Sequence, residues 1–311
     1  MRTNVVLIEQ TNELKYQAVE LKNPGPNEVL IRQKAIGVNY VDVFFRNGTF
    51  PVDAFPAPIG LEAAGIIEQV GAAVKNFVPG DRVAYYGATG AYAAHRVLHE
   101  NDLFKLPDDI TFEQAAAVMV KGLTVHMLVK ASHVVKAGEV VLVHAMMGGV
   151  GSLLSAWARS LGATVIGTVG SAAKKELALQ RGFEQVIDLQ TEQMTGKVDV
   201  VYDGTGKTTF QQSLALVNPG GSAVLYGWPS GMPDIDMQWM EDRSIHFVSA
   251  VLNHYPAYQD KSGKAMNEIF DLIRNGVLNL DHPTVYALTD AAKAHADLES
   301  RKTTGSIILK P

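Results

Sequence analysis

The segment Val140-Val-Leu-Val-His-Ala-Met-Met-Gly-Gly-Val-Gly151 changes character halfway along. Val140 to His144 is a short apolar run rich in β-branched residues, as a buried parallel strand requires. The second half is a tight glycine turn, and Ser152-Leu-Leu-Ser-Ala-Trp-Ala-Arg-Ser-Leu161 then repeats apolar residues at helical spacing. Strand, glycine turn and helix together give a glycine fingerprint meaning. Gly148 and Gly149 let backbone approach a pyrophosphate, Gly151 lets the helix pack on the strand, and the helix N-terminus offers amides and a positive dipole end. The match to G-x-G-x-x-G is partial, because Met146 stands at the first glycine position.

Outward from this segment the chain divides by composition. Up to about residue 110 it reads as short strands broken by Gly and Pro, with candidates at Val5–Glu9, Glu28–Ala35, Ala64–Val70, Arg82–Tyr86 and Ala91–Val97. Thr111-Phe-Glu-Gln114 predicts a capping box that opens a helix running to about Lys130. Strands then alternate with helices at Val140–His144, Thr164–Val169, Gln185–Leu189, Val198–Asp203, Ser222–Gly227 and Ile245–Leu252, the pattern of a doubly wound parallel sheet. Two helices, Lys264–Asn275 and Asp290–Arg301, and a closing strand Gly305–Leu309 follow. In strand order 3-2-1-4-5-6 the third connection must cross the sheet within the eight residues Gln190 to Lys197. Fully extended, these reach roughly 26–29 Å, against a lateral step of roughly 14 Å, so the crossing is feasible without a helix.

Composition narrows the function. The length suggests two domains with their own cores, and the net charge of −5 gives no footprint for nucleic acid or an anionic membrane. No apolar run is expected to span a bilayer, and the N-terminal residues carry no signal-peptide core. Cysteine is absent, which removes disulfides, thiolate catalysis and cysteine-ligated metals. The expected location is cytoplasmic. For the nucleotide, an NAD site places an acid about 20 residues beyond the glycines. Here Gly167-Thr-Val-Gly-Ser-Ala-Ala-Lys-Lys175 has none, and Gly170, Ser171 and Lys174 suit a 2′-phosphate instead.

Further segments carry a resemblance: Lys34-Ala-Ile-Gly-Val-Asn39 with Asp42, Gly60-Leu-Glu-Ala-Ala-Gly65, Pro79-Gly-Asp-Arg-Val83, Lys121-Gly-Leu-Thr124, Gly148–Gly151, Gly167–Gly170, Val201-Tyr-Asp203, Glu299-Ser-Arg301 and Gly305-Ser306. Together they resemble the zinc-independent quinone oxidoreductases of the medium-chain dehydrogenase/reductase superfamily, nearly end to end. The resemblance implies a GroES-like, mainly β catalytic domain (residues 1–118), a Rossmann NADP-binding domain (119–253) and a return to the catalytic domain (254–311). It implies NADPH as cofactor, a small conjugated carbonyl as substrate, and homodimers joined through the Rossmann sheets. Asn39 would lie beside the nicotinamide, with Tyr40, Asp42 or solvent as candidate proton donors. Lys121, Thr124, Met147, Gly148, Gly149 and Val150 would line the cofactor, with Tyr226, Gly227 and Val251 after later strands. Lys174 and Arg301 match positions near the 2′-phosphate. Phe44, Phe50, Trp228 and Leu252 would form an apolar substrate pocket.

Departures from that pattern restrict the chemistry. Leu61 occupies the position of a zinc-ligating histidine in the zinc-dependent branch, and no cysteine exists, so no metal is expected. Phe44 and Phe50 replace expected tyrosines, and Leu189 replaces an aromatic expected near the adenine ribose. Without a Lewis acid, reduction of a quinone or α,β-unsaturated carbonyl is favoured over alcohol–ketone exchange, because conjugation spreads the incoming charge. Two alternatives stay open: an enoyl-thioester or 2-alkenal reductase, and an NADPH-binding structural or regulatory protein with little catalysis.

Overall fold

The computed structural model describes residues 1–255, 263–280 and 283–311. The chain forms two compact units, Met1–Lys121 with Asp260–Phe270 and Leu280–Pro311, and Gly122–Gln259 with Asp271–Asn279.

The first unit is built on antiparallel strands. β1 (Arg2–Gln10) and β2 (Glu13–Glu20) form a hairpin, and β4 (Ala57–Pro58) pairs with the other edge of β1. β3 (Glu28–Val38) is central to a larger sheet with β5 (Glu62–Val70), β6 (Arg82–Tyr86), β7 (His95–His99) and β8 (Leu103–Lys105). These strands bury Ile8, Ile31, Ile36, Ala63, Ile67, Val83 and Tyr85 in one core, and a register shift between Gln33 and Ala35 of β3 lets both Ile31 and Ile36 join it. Helix α1 (Tyr40–Arg46) leaves the end of β3, and α2 (Phe112–Met127) follows β8. The capping box opens α2 as expected: Thr111 N–H donates to Gln114 Oε1 at 2.9 Å, and Gln114 N–H to Thr111 Oγ1 at 3.0 Å.

The second unit holds a six-stranded parallel sheet. Its strands are β9 (Val140–Val143), β10 (Thr164–Val169), β11 (Gln185–Asp188), β12 (Val198–Asp203), β13 (Val217–Leu225) and β14 (His246–Ser249). They lie in the order β11-β10-β9-β12-β13-β14, the doubly wound order expected, with all pairings parallel. Helices α3 (Gly149–Ser160), α4 (Ala172–Gln180), α5 (Phe210–Leu214) and α6 (Met237–Glu241) fall between strands. Leu142, Val201, Phe210, Leu225 and Met240 are among the residues of its core. The chain crosses from β11 to β12 without a helix, and Met194 of that crossing packs on the core. The chain ends with α7 (Lys264–Arg274), β15 (Thr284–Ala287), α8 (Ala291–Glu299) and β16 (Ile307–Lys310), which pairs with β3.

Several expectations need correction. The strands expected from the sequence do not include β2, β4, β8 or β15. β2 carries Leu14, Tyr16 and Ala18 in alternation with polar residues, a period-two signal that the expected strands pass over, although none of its residues is buried. Its hairpin turn uses Asn12 at φ 69°, a left-handed conformation that asparagine tolerates. The expected strand Ala91–Val97 begins only at His95, and the expected Ile245–Leu252 ends at Ser249, leaving Val251 and Leu252 in the connection that follows. One helix, Phe112–Ser132, does have the length and composition to cross a membrane, contrary to expectation. About two thirds of its apolar window (67%) is buried inside the protein, where Ala115 to Met119 are fully enclosed, as in a core helix.

Candidate active site

In the second unit the candidate residues gather at the carboxyl ends of the parallel strands, where open α/β sheets bind ligands. The turn after β9 is built without its first glycine. Ala145 takes the left-handed conformation (φ 50°), and its carbonyl accepts from Gly148 N–H at 2.8 Å. Met146 is buried against Gly167 of β10, where a Cβ would lie 1.8 Å from the Met146 sulfur. Gly148 caps α3 without a side chain, and a Cβ on Gly151 would lie 2.3 Å from the Ala145 carbonyl oxygen. Bare backbone therefore meets the N-terminus of a twelve-residue helix, a donor arrangement suited to phosphate. Met147 and Val150 flank this turn.

After β10, a Cβ at Gly170 would meet nothing within 4 Å, and the Ser171 hydroxyl caps α4 by accepting from Lys174 N–H at 3.4 Å. Lys175, next along the helix, pairs with Glu192 of the β11–β12 crossing at 2.6 Å. After β13, the Tyr226 ring lies over Gly204, where a Cβ would come within 2.4 Å of it. Burial, then the Asp203 carboxylate, raises the Tyr226 phenol pKa, so it stays protonated. Gly227 and Trp228 follow on the same edge, Trp228 lying close to Gly206. Thr124 belongs to α2 within this unit.

Sequence reasoning missed a buried cluster at the same edge. His144 Nδ1 is 2.9 Å from Thr168 Oγ1, its Nε2 is 2.5 Å from Ser213 Oγ, and the Asp203 carboxylate lies 3.9 Å away. Asp203 also accepts from the Thr205 and Gly206 amides and the Thr209 hydroxyl. Burial lowers the His144 pKa against the pull of Asp203, so the ring stays neutral and ties three elements together.

In the first unit the structure joins Asn39 and Lys121 through Glu62, which sequence reasoning did not single out as a site residue. Glu62 is fully buried. Its Oε1 accepts from Asn39 Nδ2 at 2.7 Å and Lys121 Nζ at 3.2 Å, and its Oε2 from Val120 N–H at 2.6 Å. Asn39 starts α1, and its own N–H donates to Asp42 Oδ2 at 2.8 Å. Asp42 is fully buried; its Oδ2 also accepts from Tyr92 OH at 3.1 Å, while its Oδ1 has no hydrogen-bond partner. Burial pushes its pKa up to about 7. Tyr92 OH in turn lies 2.9 Å from Nε2 of buried His295.

Tyr40, Phe44 and Phe50 form an edge-to-face series, with centroids 5.2 and 5.3 Å apart. Burial, then the Glu299 carboxylate, raises the Tyr40 pKa, while Arg301 and Arg46 oppose this. Arg301 follows α8 at φ 58°, also in the first unit. A concavity of about 640 Å³ on this unit, lined by Phe77, Phe104, Met266 and Phe270 among others, shares no residue with these candidates. Among the described residues no group of three or more His, Cys, Asp or Glu could hold a metal ion.

Comparisons with known proteins agree with this architecture. Residues 25–108 match the family model of the alcohol dehydrogenase GroES-like domain, and residues 181–309 that of zinc-binding dehydrogenases. The chain is 40% identical to a quinone oxidoreductase of Pseudomonas aeruginosa over 310 residues, covering 96% of this chain and 95% of that one. It is 36% identical to a 2-haloacrylate reductase of Burkholderia over 315 residues, 95% of this chain and 94% of that one. The crystal structure of Escherichia coli quinone oxidoreductase complexed with NADPH superposes with a TM-score of 0.93 at 36% identity, covering 99% of this chain and 100% of that one. Identities of 36–40% over nearly the full length, with the same fold, place the chain: it belongs to the quinone oxidoreductase family of the medium-chain dehydrogenase/reductase superfamily.

Proposed function

We propose that the chain is an NADPH-dependent, zinc-independent reductase of conjugated carbonyl compounds, quinones or other α,β-unsaturated acceptors, acting in the cytoplasm as a homodimer. The observation that carries the reading is the bare glycine turn at the start of α3, paired with a β10 end that offers Gly170, Ser171 and Lys174 where an NAD site would offer an acid. The residues present fit the cofactor, since Gly148 starts α3 with no side chain that would fill a phosphate cradle, and Gly151 lets the helix pack closely on the Ala145 turn. NADPH, when bound, supplies the hydride.

Gly148, Gly149 and the first α3 amides hold the pyrophosphate, flanked by Met147 and Val150. In the second unit Ser171 and Lys174 would hold the 2′-phosphate; in the first, Arg301 matches the family position for the same group. The resemblance assigns the rest of the cofactor to Asn39 and Lys121 of the first unit and to Thr124, Tyr226, Gly227 and Val251 of the second. Phe44 and Phe50 of the first unit, and Trp228 and Leu252 of the second, would offer apolar surface to the acceptor. Tyr40 keeps its proton at neutral pH because burial disfavours the phenolate. Asp42, with its carboxyl held up to about 7, is half protonated near neutrality. Hydride arriving at a conjugated acceptor spreads its charge onto a distant oxygen, so hydrogen bonds and a proton suffice where a simple ketone would need a Lewis acid. Leu61 takes no part in metal binding.

The relative named for 2-haloacrylate reduction favours extending the acceptor class from quinones to activated alkenes. The homodimer rests on β14, an edge strand whose outer row of backbone groups has no strand partner among the described residues. A second copy related by a two-fold axis would continue the sheet.

The test is NADPH oxidation, followed at its absorbance maximum, with a benzoquinone, a naphthoquinone, an alkenal, an enoyl-CoA and a simple ketone. NADH is run beside it, with Lys174→Ala as the control. Turnover restricted to conjugated acceptors, with an NADPH preference lost in the variant, supports the reading. Reduction of the simple ketone refutes the acceptor class. NADPH bound without turnover of any acceptor refutes catalysis.

A further inference from the structure

We propose that Glu62 is the positioning residue of this site, orienting the Asn39 amide and the Lys121 ammonium together. The proposal rests on the reductase reading for what is positioned; the placement itself is a property of the chain. Glu62 stands on β5 among Ala63, Ala64 and Gly65, is wholly enclosed, and spends both carboxylate oxygens on donors from two other elements. Asn39 Nδ2 and Lys121 Nζ share Oε1, and Val120 N–H takes Oε2. An ionised carboxylate only accepts hydrogen bonds. Asn39 therefore has to turn its NH2 toward Glu62, which fixes which face of the amide is carbonyl and which is donor.

The surroundings are shaped to admit this carboxylate. Gly37 on β3 leaves the space, since a Cβ there would lie 2.2 Å from Glu62 Oε1 and 2.3 Å from the Ala116 carbonyl. Asn39, two residues further on, lies at the β3–α1 junction, and its N–H is held by Asp42. Asn39 is thus pinned at the backbone by Asp42 and at the side chain by Glu62. Lys121 is also buried, with the Glu62 carboxylate as its ion-pair partner, so the same group that orients the amide compensates the ammonium.

Glu62→Gln separates these functions. It keeps the volume but adds a donor, which must oppose either the Val120 N–H or the Asn39 and Lys121 donors. A second variant, Glu62→Gln with Asn39→Asp, restores one acid beside Lys121 and exchanges donor for acceptor at position 39.

In protein labelled with ¹⁵N-asparagine and free of cofactor, the Asn39 side-chain NH2 should be protected from solvent exchange, and Glu62→Gln should abolish that protection. With NADPH and a conjugated acceptor, kcat should fall on the order of 10- to 100-fold in Glu62→Gln, while the Kd for NADPH, read by its fluorescence, moves by less than about threefold. The double variant should recover thermal stability and not kcat.

An Asn39 NH2 unprotected in the wild type, or a Glu62→Gln kcat within about twofold of wild type, overturns the proposal. Recovery of kcat together with stability in the double variant also overturns it, because Glu62 would then serve only to balance Lys121. If Glu62→Gln does not fold, the cofactor-free wild-type spectrum and the double variant decide. A wild type that shows Asn39 protection yet binds no NADPH refutes the reductase reading alone.

Discussion

Asp42 and His295, joined through the Tyr92 hydroxyl, make opposite demands on protons, and removing either should expose the other. Burial holds the Asp42 carboxyl at about 7 instead of 3.8; the Asn39 amide and Tyr92 hydroxyl oppose this, Glu62 adds to it and Lys121 opposes it. Burial, then the Arg46 guanidinium, which is paired with Glu299, pushes His295 down to about 3 from 6.5. An acid raised in the folded state contributes stability that is full below pH 3.8 and lost as pH rises through 7. A lowered histidine contributes stability that is full above pH 6.5 and lost as pH falls toward 3. Between about pH 4 and 6.5 the folded pair carries its proton on Asp42 and the unfolded pair carries it on His295. The proton count is equal in both states, so this pair gives no pH slope.

Asp42→Asn keeps the acceptor for Asn39 N–H and Tyr92 OH but leaves His295 uncompensated. Its stability should rise with pH by up to about 1.4 kcal/mol per pH unit, or about 2 kcal/mol from pH 4.5 to 6.5, since the unfolded histidine is half titrated at the upper end. His295→Gln should do the reverse over the same interval, by a similar amount. At roughly 1–2 °C per kcal/mol for a chain of 311 residues, each corresponds to a Tm shift of roughly 2–5 °C relative to wild type. Circular dichroism melts at pH 4.5, 5.5 and 6.5 measure this directly. Two variants whose Tm follows the wild-type pH profile, or slopes of the same sign, refute the idea that folding moves a proton from the histidine to the aspartate.

Three further outcomes are expected. Asn39→Ala should slow turnover of a conjugated acceptor more than it raises the Kd for NADPH; equal losses in both would refute a role confined to the reacting geometry. Gly167→Ala sets a Cβ 1.8 Å from the buried Met146 sulfur and should cost about 1–3 kcal/mol in urea unfolding, with Met146→Ala in the same chain recovering much of the loss. Thr111→Ala removes the hydroxyl that caps α2 and should lower stability by about 1 kcal/mol, read by the same unfolding curves.

Features written locally in the chain are legible from the amino-acid pattern alone. The glycine turn and the Thr111–Gln114 capping box each depend on residues a few positions apart, and each forms as the spacing implies; the strand order of the parallel sheet joins residues as far apart as Val141 and Val200, and follows from the alternation of strands and helices. β2 carries a legible but weak signal, the alternation of Leu14, Tyr16 and Ala18, on a strand that buries none of its residues. Glu62 is hidden more fully. Its partners lie 23, 58 and 59 residues away, so only tertiary structure brings them together. A faint signal exists in Gly60-Leu-Glu-Ala-Ala-Gly65, where one acid stands among residues too small to be a core by themselves. Small neighbours around a lone acid in a strand imply that something else must fill and neutralise that space. The Asp42–Tyr92–His295 chain gives no such signal, since the Tyr92–His295 contact spans 203 residues.

The glycine turn shows why a motif is better read as a set of physical demands than as a string. The first glycine of the fingerprint combines a permissive backbone with the absence of a side chain where the strand turns into the helix. Here those two requirements are met at different positions. Ala145 adopts the left-handed φ with the smallest side chain that has a Cβ, and Gly167 on the neighbouring strand makes the room that Met146 then fills. The methionine therefore adds buried apolar packing between β9 and β10 while the other two fingerprint glycines, Gly148 at the start of α3 and Gly151 packed against the Ala145 carbonyl, keep their places. A search for the literal pattern sees a missing glycine. The geometry sees the same turn, built from a residue before the gap and a residue on the adjacent strand.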